Sequence, residues 1–429
     1  MLSREDNELL TRTVAGTPMG DLMRRYWVPA VLSKQVAEPD CPPVRVQIMG
    51  EKLVAFRDSQ GRVGILDEQC PHRTASLFFG RNEECGLRCV YHGWKFDVDG
   101  KCVDLPSEPP GSNFQSKIRT TAYPTIERGG LVWTYMGPPE KKPEFPDLIW
   151  TQIPDDYLYV TRRIQDSNWL QALEGGFDTS HLAFLHTGTA DANRRVVPSQ
   201  YPIVPVDGGF IAGTGRDVKP GQTLWAANLM FVPFHKVFAT SPEAAHVWVP
   251  IDDETTMLYS ADYWVDRPLS AEDLKRTTDY HGIHTENIPE TDRAVQNKGN
   301  DYLIDREIQK SGISYTGMRG LGVQDSAIQE SMGPIADRTK EHLGVSDTAI
   351  IQIRKILLQS LKGMAAGKEP PGLDPESYRV RSTRFALPRG EKFEDEIGRQ
   401  LANPDILDFT KLTASPRKSA DYQLGPGER

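Results

Sequence analysis

Two short segments, Cys70-Pro-His72-Arg and Cys89-Val-Tyr-His92-Gly-Trp, constrain this chain more than any others. The first sets a cysteine and a histidine two residues apart, the second three apart, with sixteen residues (73–88) between them. Thiolate and neutral imidazole bind both iron and zinc. A zinc finger usually places its cysteines first and its histidines second. Here each segment offers one of each. That order suits a [2Fe–2S] cluster in which one iron takes both cysteines and the other both histidines. Two such loops can converge at the tips of adjacent hairpins. Gly80, Gly86 and Gly93 allow tight turns there, and loop N–H groups can donate to sulfur. A structural zinc site is the competing reading. Cys41, Cys85 and Cys102 read as small hydrophobes of a β domain. Five cysteines, all in the first quarter of the chain, do not make a disulfide framework.

The 429 residues exceed one ordinary core, so two domains are expected. A net charge of −9 without a basic stripe argues against nucleic acid. No apolar run is long enough to span a bilayer. The opening MLSREDNELL is charged where a signal peptide needs an apolar core, so a cytoplasmic location is expected. Residues 8–36 read as short helical pieces. From residue 43, VRVQIMG, KLVAFRD and VGILDE alternate between turns, an antiparallel pattern that continues to about residue 137. The Pro-rich 138–147 marks a boundary. This divides the chain into a lead-in (1–40), a β domain (41–140) and a mixed domain (141–429), an α+β chain overall. In the mixed domain, LYVTRRIQ reads as a strand and NWLQALEGGFDTSHLAFLHTG mostly as helix. Residues 201–265 read as strands and 270–360 as mainly helical. SDTAIIQIRKILLQSLKGM is a long amphipathic helix with a Ser or Asp cap. The Pro- and Gly-rich tail from 365 is expected to wrap a neighbour.

A second constellation lies in EGGFDTSHLAFLHTG. Asp178 and His181 are three apart and share a face on a regular helix. His186, five beyond His181, falls off that face unless the helix breaks or bulges between the histidines. Taken alone, the pattern describes two ordinary helix histidines. Further on, GVQDSAIQESMGPIADR carries three carboxylates, Asp325, Glu330 and Asp337. Asp325 is expected in the first turn of its helix, where it either caps the helix or points into a cavity.

The Cys70/His72 and Cys89/His92 segments resemble the two loops of a Rieske [2Fe–2S] domain. Asp178, His181 and His186 resemble the D-x-x-H-x4-H motif of the Rieske non-haem iron oxygenases. GTPMGDLMRRYW and QDSNWLQALEGGFDTSH are most similar to the phthalate dioxygenase branch. The resemblance implies an all-β Rieske domain followed by a helix-grip (START-like) catalytic domain, an antiparallel sheet with helices. It implies that Cys70, His72, Cys89 and His92 hold the cluster. It implies that His181, His186 and Asp325 hold a mononuclear Fe(II), as a 2-His-1-carboxylate triad. Asp178 would then be a bridging acid between this iron and a Rieske histidine, His92 by position, of another subunit in a homotrimer or a multiple of it. The family often has Asn where this chain has Glu174. The branch implies a terminal oxygenase that hydroxylates or O-demethylates a carboxylated aromatic with O2. Its electrons would come from a separate flavin/[2Fe–2S], NADH-dependent reductase, and no G-x-G-x-x-G opens a βαβ unit here. A Rieske electron carrier with no catalytic iron is the alternative. Trp225, Asn228, Met230, Phe234 and Phe238 are candidate pocket walls, and Arg216, His235 and Lys236 candidate carboxylate partners. Strand alternation keeps them from all lining one pocket.

Overall fold

A computed structural model describes residues 1–188, 196–278 and 282–403. Helices α1 (Arg4–Thr11) and α2 (Pro18–Met23) open the chain. Ser3 and Thr17 cap them, accepting from the N–H of Asp6 and Gly20. Strands β1 (Trp27–Leu32), β2 (Val44–Ile48), β3 (Glu51–Arg57), β4 (Val63–Asp67), β5 (Arg81–Glu83) and β6 (Gly86–Arg88) follow. Then come β7 (Lys95–Phe96), β8 (Cys102–Asp104), β9 (Ala122–Tyr123), β10 (Thr125–Arg128) and β11 (Leu131–Tyr135). They form three small sheets, ordered β1-β11-β10, β2-β3-β4-β9 and β5-β6-β7-β8. Residues 27–32 therefore correct the helical reading of 8–36. WVPAVL is buried along its whole length against β11, and burial on both faces erases the alternation that marks a strand.

The second half begins with β12 (Leu158–Gln165) and α3 (Trp169–Phe177). Its strands continue as β13 (Ile203–Val206), β14 (Gly209–Lys219), β15 (Gln222–Phe231), β16 (His235–Phe238), β17 (Glu243–Pro250) and β18 (Thr256–Tyr263). Helices α4 (Ala271–Thr278), α5 (Arg306–Ser311), α6 (Leu321–Ser331) and α7 (Thr348–Ala365) precede β19 (Thr383–Pro388) and α8 (Phe393–Leu401). One antiparallel sheet runs β12-β18-β17-β16-β15-β14-β13, and β19 pairs with the first half of β15. The tail from 365 thus adds a strand to its own sheet, and residues 404–429 lie outside the described residues. The region 270–360 is less helical than its composition suggests, because among the described residues between α4 and α6 only a 3-10 turn (Lys298–Leu303) and the short α5 are helical. Asp347 is the N-cap residue of α7, but its carboxylate accepts from the Gly344 N–H rather than from its own helix.

Two glycines explain how α3 reaches the sheet. A Cβ on Gly176 would sit 2.6 Å from the Trp248 ring of β17, and one on Gly175 would strike the Gln329 amide of α6. The Gly-Gly pair lets the helix wedge between sheet and α6.

The apolar cores do not follow the boundary at 138–147. A large cluster runs from Leu10, Val28 and Trp133 into Trp169, Phe231 and Trp248, joining both halves. A small separate cluster, with Phe56, Leu66, Leu77, Leu87 and Phe96, lies under Cys70 and Cys89. Among the described residues no helix is long and apolar enough to cross a membrane.

Candidate active site

The first pair of candidate residues sits on the β4–β5 loop and the second on the β6–β7 loop. Both loops close by one pattern. The Cys70 carbonyl accepts from the Thr74 N–H and the Cys89 carbonyl from the Gly93 N–H, each at 2.9 Å. Cys70 N–H donates to Ala75 O and Cys89 N–H to Trp94 O, at 2.9 and 2.8 Å. The fourth residue after each cysteine is left-handed, Thr74 at φ 58° and Gly93 at φ 78°. Only glycine fits the second loop, where a Cβ would meet Pro106 at 2.6 Å.

This puts like beside like. Both thiols are buried and lie next to each other. Burial, reinforced by Cys89, pushes the Cys70 thiol up to about 11 against the pull of the His72 backbone. The His72 and His92 rings are 4.3 Å apart, and His72 stacks on Trp94 at 4.3 Å. His72 Nδ1 is buried without a hydrogen-bond partner. Burial, with His72 and Arg73 nearby, pushes His92 down. An orphaned imidazole nitrogen beside two adjacent buried thiols fits a group that takes lone pairs from all four side chains. Among the described residues, the ligand atoms that close round a single ion are those of His181, His186 and Asp325.

The second constellation comes together from distant chain. Helix α3 stops at Phe177 with Asp178 as its extended C-cap, and His181–Ala183 is a separate 3-10 turn. Between the histidines the 3-10 turn ends at Ala183 and the chain runs on as turns, as expected, while a further break before His181 keeps Asp178 and His181 from sharing a helical face. Asp178 Oδ1 causes it, accepting from Ser180 N–H at 2.9 Å, Ser180 Oγ–H at 2.7 Å and His181 N–H at 3.3 Å. Its Oδ2 lies 3.8 Å from His181 Nδ1. Beyond the break the two imidazoles meet, Nε2 to Nε2 at 3.1 Å.

Asp325 lies in the second turn of α6, whose N-cap is Gly320, so it neither caps the helix nor occupies its first turn. Its Oδ1 is 3.5 Å from His181 Nε2 and 3.2 Å from His186 Nε2. Three ligand atoms sharing an ion at about 2.1 Å are spaced this way. Glu330 is engaged elsewhere, accepting from Tyr302 O–H at 2.5 Å and Asp166 N–H at 3.2 Å. Asp337 bonds Thr339 and Lys340 at the surface. Gln324, which the sequence did not single out, fixes the histidine tautomer. Its Nε2 donates to Met318 O at 2.8 Å, so its Oε1 accepts from His186 Nδ1–H at 2.7 Å. That leaves the His186 Nε2 lone pair facing Asp325.

The electrostatics favour the metal-binding forms. Burial pushes the Asp325 carboxyl up, but His186, His181 and Arg163 outweigh it and hold it well below the usual range. Burial lowers His181 despite the pull of Asp325. Near neutral pH this carboxyl is ionised and the His181 imidazole neutral. Glu174 takes no part. It is buried in a cluster with Arg338 at 2.8 Å and Arg354 at 2.6 Å.

The triad opens on a cavity of about 360 Å³ between the sheet and helices α3 and α6. That volume is within the range of small-molecule sites. Trp225, Asn228, Phe238, Arg216 and Lys236 border it. Met230, Phe234 and His235 do not, and His235 stacks on Trp133 in the core. Apart from Asp178 and Asp325, the charged wall is Arg163, Arg216, Lys236, Arg276 and Arg384 against Asp262. The wall is basic.

The Rieske [2Fe-2S] domain family matches residues 26–124, and the family described as LigXa C-terminal domain like matches 134–199 and 226–385. The chain is 38% identical to the 3-chlorobenzoate-3,4-dioxygenase oxygenase subunit of Comamonas testosteroni, covering 92% of this chain and 97% of that one. It is 38% identical to the phthalate 4,5-dioxygenase oxygenase subunit of Pseudomonas putida, covering 99% and 100%. It is 32% identical to the 5,5'-dehydrodivanillate O-demethylase oxygenase subunit of Sphingobium sp. (strain NBRC 103272 / SYK-6), covering 87% and 84%.

Proposed function

The chain belongs to the Rieske non-haem iron oxygenases as an oxygenase subunit, and from that premise we propose that it oxidises a carboxylated aromatic compound by ring hydroxylation or O-demethylation. The observation that carries this reading is the triangle of His181, His186 and Asp325 opening on a cavity with a basic wall. A mere electron carrier needs neither. The relatives' names, for phthalate, 3-chlorobenzoate and 5,5'-dehydrodivanillate, agree with an anionic aromatic.

In this reading Cys70, His72, Cys89 and His92 hold the [2Fe–2S] cluster, and His181, His186 and Asp325 hold Fe(II). Bound there, the iron would supply the O2 chemistry and the cluster would supply single electrons to it. The chain's own residues do the rest. Gln324 keeps the proton of His186 on Nδ1. The cations draw the substrate's anionic group to one end and so aim the other at the triad. Asp178 connects His181 to His92 of the partner subunit in a homotrimer. Phe79, Val90 and Tyr91 stand exposed around the cluster loops, an apolar collar that suits such docking. A separate flavin/[2Fe–2S] reductase supplies electrons from NADH, in the cytoplasm.

The test is metal and acid-labile sulfide analysis of anaerobically purified protein, followed by O2 uptake and formaldehyde release with a panel of aromatic acids and a reductase. About three irons and two sulfides per chain with acid-dependent O2 uptake support the proposal. About two irons, not raised by added Fe(II), leave only an electron carrier.

A further inference from the structure

Residues 162 and 163 are consecutive buried arginines, and they are treated differently. Alternation on β12 sends them to opposite faces of the sheet. Arg162 meets Asp292 with two hydrogen bonds, at 3.0 and 2.8 Å. Arg163, on the cavity face, donates to two backbone carbonyls, Ile283 O at 2.9 Å and Gly322 O at 3.2 Å. Its Nε–H has no partner, and no carboxylate lies within ion-pair distance among the described residues.

Among the described residues, the buried Arg24, Arg25, Arg338, Arg354 and Arg381 each touch a glutamate. The other buried arginine of the cavity wall, Arg216, donates to the carbonyls of Val196 and Thr179, each at 3.1 Å. A buried charge without a partner is costly, so the missing carboxylate asks for an explanation. Two acids lie close enough to influence Arg163, Asp325 and Glu330. Glu330 is held by Tyr302 and Asp166. Asp325 belongs to the triad. Burial lowers the guanidinium to about 10 even with both acids nearby, so they do not fully compensate it. The fork is also fixed in place. Gly322 sits against it, and a Cβ there would lie 3.1 Å from Nη1 and 2.6 Å from Ile283 O.

We propose that Arg163 is the anion anchor of the cavity, that the carboxylate it lacks is the substrate's, and that it determines the preference for acids over neutral aromatics. This rests on the carboxylated-aromatic reading above and deepens it. Nε–H is buried, but a guanidinium whose Nη1 and Nη2 each donate once to a carbonyl keeps a second N–H on each, a rigid fork of the kind that recognises a carboxylate. Because the same fork reaches Gly322, three residues before Asp325, the anchor and the triad share one rigid support, and a bound acid is held in register with the metal corner.

The test uses the holoprotein under anaerobic conditions, with phthalate and 3-chlorobenzoate and their methyl esters as probes, by calorimetry. Iron per chain is measured on every variant. Wild-type protein is expected to bind the acids more tightly than the esters. Arg163→Gln should weaken acid binding about thirtyfold and leave ester binding within about threefold, as loss of a charge-assisted pair does. Arg163→Lys, which keeps the charge, should recover part of the acid preference. Equal losses for acid and ester overturn the anchor. So does a fall in iron with the acid-to-ester ratio unchanged, which would make Arg163 a brace for α6. Wild-type protein that binds esters as well as acids, or neither, overturns the carboxylated-aromatic reading itself and the anchor with it.

Discussion

The two candidate metal sites are built in opposite ways. The cluster loops are local. Four side chains lie within 23 residues, on two loops that close by the same pair of hydrogen bonds, over a small core of their own. The triad is long-range. It joins a broken helix end to a helix that begins 140 residues after His181, inside the large core that unites both halves. A local site is specified by loop chemistry and is legible as spacing. A long-range site is specified by packing, and its third member can be named only when the fold brings it in. The two should therefore be separable by mutation.

The sharpest break is His181→Ala. It should remove the mononuclear iron and lower turnover by at least about a thousandfold. The visible spectrum of the cluster should not change. Loss of colour in that variant would mean the sites are coupled. Asp178→Asn addresses the link between them. Both metals should remain, while single-turnover electron transfer slows by about a hundredfold, measured by stopped-flow; normal transfer would remove Asp178 from the route. Gln324→Leu sharpens the long-range side. Freed from its acceptor, His186 loses its tautomer preference, and Fe(II) affinity should fall about ten- to a hundredfold by titration of the metal-free site.

Acid tests the same side. Because burial lowers His181 below its ordinary value, protons should begin to displace Fe(II) only as the pH falls below 6.5, and occupancy should be flat above it. Occupancy that already declines between pH 8 and pH 7 would contradict a neutral buried imidazole. The smallest effect belongs to Gly93→Ala. A left-handed alanine pressed on Pro106 should cost about 1–3 kcal/mol in the cluster loop, seen as faster bleaching of the cluster on warming, with Fe(II) binding at the triad untouched.

Sequence reading reached the antiparallel first half, the sheet of 201–265 and the long α7 because their periodicity is strong. It missed β1 because WVPAVL is buried on both faces, and β19 because a single strand in a Pro- and Gly-rich tail pairs only through tertiary contact. It chose Asp325 among three carboxylates, and the geometry brings that one beside the histidines. It placed a break between the histidines, where the 3-10 turn ends, but not the earlier one before His181, because the Asp178 turn to Ser180 and His181 is made by a side chain that also reads as helical. Gln324 and Arg163 had no local mark. An amide beside an acid, and one arginine of two, acquire meaning only from what they face.

The division of the apolar interior into two clusters has a consequence for how the molecule opens. Amides around Trp133, Trp169 and Trp248 share one cooperative unit that spans both halves, so they should exchange with solvent deuterium only through global unfolding. The loops from Cys70 to Trp94 rest on the small cluster and can open by themselves. Without its iron and sulfide this corner should open on its own while the large cluster stays closed, and hydrogen exchange in the metal-free protein should show two separate protection levels.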